Sequence, residues 1–124
     1  MATTALIAVK INNHYKVIHL GSDGYLNYCG RILQSFYNSQ DLARNLIEQG
    51  DMSFLDKNTE KTDFYHRDYK KEWIDVKPRI ARTHRDILGM EHGQDYFYIF
   101  ENGGWLVEVA DEFIEMQTML TDIN

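Results

Sequence analysis

The feature that most constrains the fold is a pair of aromatic and branched runs, 95–101 and 105–109, on either side of Asn102-Gly103-Gly104. Aromatic and branched residues favour strands because they pack well on a pleated surface. Asn and Gly adopt the positive φ values that tight hairpin turns require. The sequence therefore predicts a β-hairpin in this region.

A second hairpin is predicted near the N-terminus. The segments 5–11 and 15–20 are rich in branched residues and flank Asn12-Asn13-His14. The alternation of residue types leaves neither face of 15–20 cleanly polar, which indicates a central strand. A short strand is also predicted at 63–67.

Helices are predicted where apolar residues recur at three- and four-residue spacing. Their ranges are 26–37, 40–49 and 78–88, with a last helix beginning at Asp111. Ser39 is a suitable cap for the second of these helices, and Gly50 a suitable left-handed stop. The chain is expected to form a single α+β domain, 1–124, in which helices cover one face of an antiparallel sheet made of two hairpins and a short strand.

The formal charge of −6 is unevenly distributed along the chain. Residues 1–65 carry six basic and seven acidic side chains, 66–85 carry seven and three, and 86–124 carry none and nine. Such a division predicts either one basic patch and one acidic surface, or two segments that neutralise each other. The candidates for the acidic surface are Glu108, Asp111, Glu112 and Glu115.

The basic segment supports a different hypothesis, that of a site for a nucleotide or another phosphate-bearing small molecule. Its candidate residues are four arginines and two aromatic residues: Arg67, Arg79, Arg82, Arg85, Tyr65 and Trp73. Arginine pairs with phosphate and aromatic rings stack on bases. The acidic segment 86–124 argues against binding to duplex DNA, because it would be repelled by the phosphate backbone.

A third hypothesis is a small metal-dependent hydrolase that uses Asp23, His66 and Asp68. The polar candidates for chemistry also include His19, His84 and His92. No spacing typical of metal ligands links these residues, so Asp23-Gly24-Tyr25 is interpreted mainly as a turn and neither metal nor cofactor is expected. In this interpretation Gly24 takes a positive φ.

The sequence also indicates where the protein acts. Cys29 is the single cysteine and lies on a predicted apolar helix face, which excludes an internal disulfide. The sequence contains no signal peptide and no apolar run long enough to cross a membrane. A cytoplasmic location without membrane binding is expected, and the oligomeric state stays open.

Three motifs carry a resemblance to a known family: the turn Asp23-Gly-Tyr25, the step Gly50-Asp51-x-Ser53, and the aromatic pattern Tyr96-x-Tyr98-x-Phe100-x-x-Gly103-Gly-Trp105. Together they resemble a family of small bacteriophage and prophage proteins that are largely of unassigned function. The resemblance extends over nearly the whole chain. It implies that a phage or prophage encodes the chain. It assigns no established catalytic residue to any position.

The expected function follows from this setting and from the charge pattern. The chain is predicted to be a phage- or prophage-encoded binding protein that inhibits a host defence system, in the manner of an anti-CRISPR protein, by occupying a host protein surface with its acidic residues. The alternatives are a sponge that sequesters a nucleotide messenger of host immunity and the small hydrolase. Enzymatic activity is left open.

Overall fold

Eight strands form one mixed sheet in the computed structural model, which describes residues 2–90 and 94–123, and the side chains only as far as residue 120. The strands are β1 (Ala5–Ile11), β2 (His14–Leu20), β3 (Met52–Phe54), β4 (Asp63–Phe64), β5 (Arg79–Ala81), β6 (Tyr96–Glu101), β7 (Gly104–Val109) and β8 (Glu112–Glu115). Their order is β4-β3-β2-β1-β6-β7-β8, and β5 pairs with β2 outside this path. The fold is α+β.

The prediction of an antiparallel sheet was wrong. The hairpins β1–β2 and β6–β7 are each antiparallel, but they join through β1 and β6, which run parallel with Ala5 opposite Tyr96. β2 and β3 also pair in parallel, at Leu20 and Met52. The reason is that β1 is buried on both faces and therefore needs a neighbour along each edge to satisfy its backbone groups.

The turns of both hairpins contain Asn residues with positive φ. Glu101 pairs with Gly104, so the loop consists of Asn102 and Gly103, with φ values of 53° and 81°. Positive φ at both positions matches the right-handed twist of the flanking strands. In the first hairpin Asn12 has a φ of 57°.

The helices are short. A π-helical turn, Leu26–Gly30, leads into α1 (Arg31–Phe36), and the chain continues with α2 (Gln40–Ile47), α3 (Tyr65–Tyr69), α4 (Trp73–Val76), α5 (His84–Leu88) and α6 (Met116–Ile123). The predicted start and stop signals of the second helix are present, because the side chain of Ser39 accepts from the amide of Leu42 and Gly50 has a φ of +88°.

Three predicted elements have another structure. Residues 79–81 form strand β5, and α5 begins only after Thr83, which makes a capping box with Asp86. The 63–67 strand ends at Phe64, where α3 follows. Residues 112–115 pair with β7 as strand β8, so Asp111 lies in a hairpin turn and does not cap a helix. For β5 and β8 the ladder hydrogen bonds come from β2 and β7, and local periodicity does not reveal such a partner.

Hydrophobic cores lie on both faces of the sheet. The larger core packs one face against the π-helical turn, α1, α2 and α6, and includes Tyr98, Phe100 and Trp105. On the opposite face, Leu6, Val17 and other strand residues pack with Ile87 of α5. The prediction that helices cover one face was therefore wrong, since α5 covers part of the second.

Candidate functional site

The four predicted acidic residues lie on or beside the β7–β8 hairpin at the edge of the sheet. Glu108 pairs with Phe113, which packs in the smaller core, whereas Glu112 pairs with Val109 on the other face. Glu115 shares the face of Glu108 because side chains alternate along a strand. The acidic residues are thus clustered along one edge but divided between two faces.

These carboxylates are not neutralised within the described part of the chain. No ion pair joins Glu108, Asp111, Glu112 or Glu115 to a basic side chain in 2–90 or 94–120. Glu108 Oε2 accepts from the Asp111 amide at 2.8 Å, and the other three residues are exposed. The hairpin therefore presents unpaired negative charge to solvent.

An apolar groove lies beside this hairpin, on the face of the larger core. It has a volume of about 490 Å³ and is lined by residues from the turn after β2, from β6 and β7, and from α6: Tyr25, Leu26, Asn27, Tyr96, Val107, Glu108, Val109, Ala110 and Met119. Tyr25 is 40% exposed and Val109 is 38% exposed. Glu112, opposite Val109, brings a carboxylate to the same face. Tyr25 and the acidic hairpin, which are far apart in the sequence, thus line the same groove.

The turn that carries Tyr25 differs from its predicted geometry. Asp23 has the positive φ, 53°, whereas Gly24 is not in the left-handed region. Glycine is needed at 24 because a Cβ there would lie 2.9 Å from Ala5 Cβ and 3.0 Å from the carbonyl carbon of Thr4. Tyr98 Oη also donates to the Gly24 carbonyl at 2.7 Å. The turn is held against the start of β1.

Arg67 of the basic segment is engaged within the protein. Its guanidinium donates to both carboxylate oxygens of Asp68 at 2.9 Å and to the carbonyls of Thr59 and Thr62 at 2.6 Å. Asp68 accepts in turn from the Phe64 amide at 2.8 Å. The hydrogen bonds from Arg67 and from Phe64 lower the pKa of the Asp68 carboxyl. Arg67 therefore fastens the loop before β4 to α3.

The remaining predicted arginines do not lie on one helix, although the sequence predicts a helix over 78–88. Arg79 is half-buried on β5. Arg82 is exposed just before α5, and Arg85 is exposed within it. Arg85 and Asp111 border the same cavity of about 560 Å³. The basic and acidic segments approach each other at this point, although no ion pair joins these two side chains.

The two predicted aromatic residues do not line the cavity at Arg85. Trp73 is 39% exposed and borders a small groove of about 300 Å³ together with Lys16, Glu48, Lys77 and Pro78. Tyr65 packs beside Tyr69, with ring centroids 6.0 Å apart. The structure thus places lysines, and not the predicted arginines, around the tryptophan.

The residues of the hydrolase hypothesis are not brought together. The ring of His66 contacts the Lys71 carbonyl through Nδ1 at 2.8 Å and packs edge-on against Trp73, while Asp68 is bound by Arg67. Asp23 lies in its own turn. Among the described residues, no group of three or more His, Cys, Asp or Glu side chains could hold a metal ion. His92 lies outside the described residues.

One titratable cluster was missed by the sequence analysis. The Glu101 carboxylate accepts from Tyr15 Oη at 3.2 Å, pairs with His84 Nε2, and lies 3.9 Å from Lys10 Nζ. Burial, followed by the nearby Glu101 charge, raises the pKa of Tyr15 to about 12. A usable signal was that Lys10, Tyr15 and Glu101 all fall at the hairpin ends of predicted strands. The parallel register of β1 and β6 was needed to place them side by side.

Cys29 is buried, and burial raises the pKa of its thiol, so the thiol is not a poised nucleophile. None of the described helices has the length and apolar character needed to cross a membrane. A comparison of the chain with known proteins finds no matching family model, no matching curated sequence and no matching solved structure.

Proposed function

We propose that this protein binds a basic protein surface through the apolar groove beside the β7–β8 hairpin. The observation that carries the proposal is the position of exposed Tyr25 and Val109 next to carboxylates that have no basic partner among the described residues. A hydrophobic centre with a charged rim is the usual anatomy of a protein interface. The complementary partner carries an apolar anchor flanked by Lys or Arg.

The two parts of this surface have different roles. Tyr25 and the groove supply apolar contact area, and a tyrosine is a frequent source of binding energy because it is large and has few rotatable bonds. The carboxylates of Asp111, Glu112 and Glu115 lie on both faces of the hairpin and act at longer range, where they accelerate encounter with a positive partner. Binding is therefore expected to weaken as salt screens the charges.

The biological role we propose is inhibition of a host defence system in the bacterial cytoplasm, in the manner of an anti-CRISPR protein. Two arguments support it. The sequence resembles small phage proteins, and complexes that bind nucleic acid expose basic surfaces that an acidic protein can occupy.

The test uses a purified CRISPR effector complex as the probe. The triple variant Asp111→Lys, Glu112→Lys and Glu115→Lys should bind this complex at least about tenfold more weakly, because three attractions become repulsions. Binding of the unmodified protein should fall between low and high salt. In cells, the variant should no longer restore plaque formation by a phage that the CRISPR system restricts.

A matched control reverses three exposed carboxylates elsewhere, Glu60, Glu72 and Asp75, and so makes the same change in net charge. This control should retain binding. Tyr25→Ala should weaken binding without removing the salt dependence, because it leaves the carboxylates intact. If both triple variants bound equally well and binding did not change with salt, the acidic surface would be excluded as a contributor to binding.

The groove at Trp73 favours a second candidate function, sequestration of a nucleotide. A half-exposed tryptophan beside Lys16 and Lys77 offers a stacking surface and two phosphate partners. Glu48 opposes this function, because its carboxylate pairs with Lys16 Nζ at 3.5 Å as well as with Arg44 Nε at 2.6 Å. Titration with cyclic nucleotides should then quench the Trp73 fluorescence, and Lys16→Gln with Lys77→Gln should abolish the quenching while leaving the effector interaction unchanged.

A further inference from the structure

A second group of side chains capable of chemistry lies on the other face of the sheet from the groove at Tyr25, and the β7–β8 hairpin borders both places. Its centre is Glu101, whose side chain is only 9% exposed. The carboxylate accepts from Tyr15 Oη and from His84 Nε2, with Lys10 Nζ at 3.9 Å. A nearly buried carboxylate is thus held by two donors, from β2 and α5, and by an ion pair with β1.

The His84 imidazole connects this carboxylate to solvent. Its ring lies between Tyr15 and Phe113, with centroid distances of 5.6 Å and 4.9 Å, and its side chain is 40% exposed. His84 also lines the 560 Å³ cavity, together with Arg85, Leu88, Gly89 and Asp111. One nitrogen is held by Glu101, and no hydrogen bond engages Nδ1 within the described part of the chain.

We propose that His84 and Glu101 form an acid–base site that hydrolyses a small ester carrying a negative charge, with Arg85 binding that charge. A carboxylate only accepts hydrogen bonds, so the neutral imidazole carries its proton on Nε2 and leaves Nδ1 as the base. The arrangement of a base whose second nitrogen is held by a buried carboxylate is the recurring pattern of hydrolytic acid–base sites.

The proposed step balances without a cofactor. His84 Nδ1 takes a proton from water as the water oxygen bonds to the ester carbonyl carbon. The bond from that carbon to the leaving oxygen then breaks, and the imidazolium returns the proton to this oxygen. The products are a carboxylic acid and an alcohol, and His84 is neutral again.

The charged groups around His84 determine the substrate preference of the proposed site. Arg85 attracts an anion to the cavity, and Asp111 at the cavity border opposes it. Glu101 and Tyr15 are positioning residues that hold the ring, and Lys10 offsets the charge of Glu101. The hydrolysis rate of an anionic substrate should therefore depend on both Arg85 and Asp111, whereas the rate of a neutral substrate should depend on neither.

The test compares two ester probes, 4-nitrophenyl hydrogen succinate, which is anionic, and 4-nitrophenyl acetate, which is neutral. Relative to buffer alone, the protein should accelerate hydrolysis of the anionic ester more than hydrolysis of the neutral one. His84→Asn should lower the rate of the anionic ester by roughly 100-fold. Arg85→Gln should lower the rate of the anionic ester only, and Asp111→Asn should raise it.

Controls separate this role from a purely structural link between α5 and the sheet. His14→Asn changes a histidine of the first hairpin that no described contact joins to the cluster, and it should leave both rates unchanged. Tyr15→Phe and Glu101→Gln, checked for folding by circular dichroism, should flatten or shift the pH profile. No hydrolysis above buffer, or equal rates for the protein and His84→Asn, would overturn the proposal and leave the groove at Tyr25 unaffected.

Discussion

Single side chains in this protein fasten loops to the sheet. Arg67 is the main example, because its five-donor guanidinium satisfies two loop carbonyls and the carboxylate of Asp68 at once. It also lies over the Phe64 ring, 4.8 Å from the centroid. The sequence suggested that Arg67 binds phosphate. In the fold, its N–H groups instead bind a carboxylate and two carbonyls of the protein itself.

The Asp68 carboxylate should make stability depend on pH. Its pKa is lowered in the folded protein, so its contribution is complete above the unfolded pKa of about 3.9 and is lost as the pH falls through the folded value. The melting temperatures of the protein and of Asp68→Asn should differ constantly between about pH 5 and 7 and converge below about pH 4. A difference that persists at lower pH would show that the carboxylate charge is not the source of the stabilisation.

The β7–β8 connection illustrates strain at the level of an element. Ala110 and Asp111 have φ values of 52° and 69°, and neither is a glycine. Two-residue hairpin turns of this kind require positive φ at both positions. The turn nevertheless aligns Val109 with Glu112 and so presents the hairpin edge at which the apolar groove and the acidic residues meet.

Replacing Ala110 with Gly should therefore stabilise the protein. An L-residue in the left-handed region costs about 1–2 kcal/mol, and the extra chain entropy of glycine costs about 0.5–1 kcal/mol. The net gain should be about 0.5–1 kcal/mol in the free energy of unfolding, measured by urea denaturation. Ala43→Gly, inside α2, should instead destabilise the protein by about 1 kcal/mol or more. If Ala110→Gly were less stable than the unmodified protein, the backbone at Ala110 would not be a source of strain.

At the scale of the whole molecule, the sheet is organised around β1. This strand has antiparallel β2 along one edge and parallel β6 along the other, and residues 5–9 are fully buried. β8, by contrast, lies at the end of the strand order and is partly exposed. Stability should accordingly decrease from the middle of the sheet towards this edge.

Native-state hydrogen exchange should report this gradient. The slowest backbone amides should belong to β1 and β6, because exposing them requires opening the sheet and both cores. The amides of β8 should exchange through local opening at a lower free energy. Equal protection of β8 and β1 would show that the edge hairpin unfolds only together with the whole sheet.

The sequence by itself determined the features that depend on neighbouring residues. Asn102 and Gly103 specify their turn through the φ values they tolerate, Ser39 caps α2 with its own side chain, and Gly50 ends that helix region at positive φ. The apolar runs on either side of each turn predicted the strand pairs β1–β2 and β6–β7. These signals act over a few residues, so they can be read without knowing the fold.

Only the tertiary structure decided which elements pair across the chain. Residues 79–81 and 112–115 are too short to have a preference of their own, and the hydrogen bonds of β2 and β7 make them strands. The same holds for both proposed sites, since Tyr25 lines a groove together with Val109, and His84 pairs with Glu101, around a sheet whose parallel register joins distant segments. Such contacts depend on which backbone groups remain unpaired after the local elements form, and that is a property of the assembled sheet.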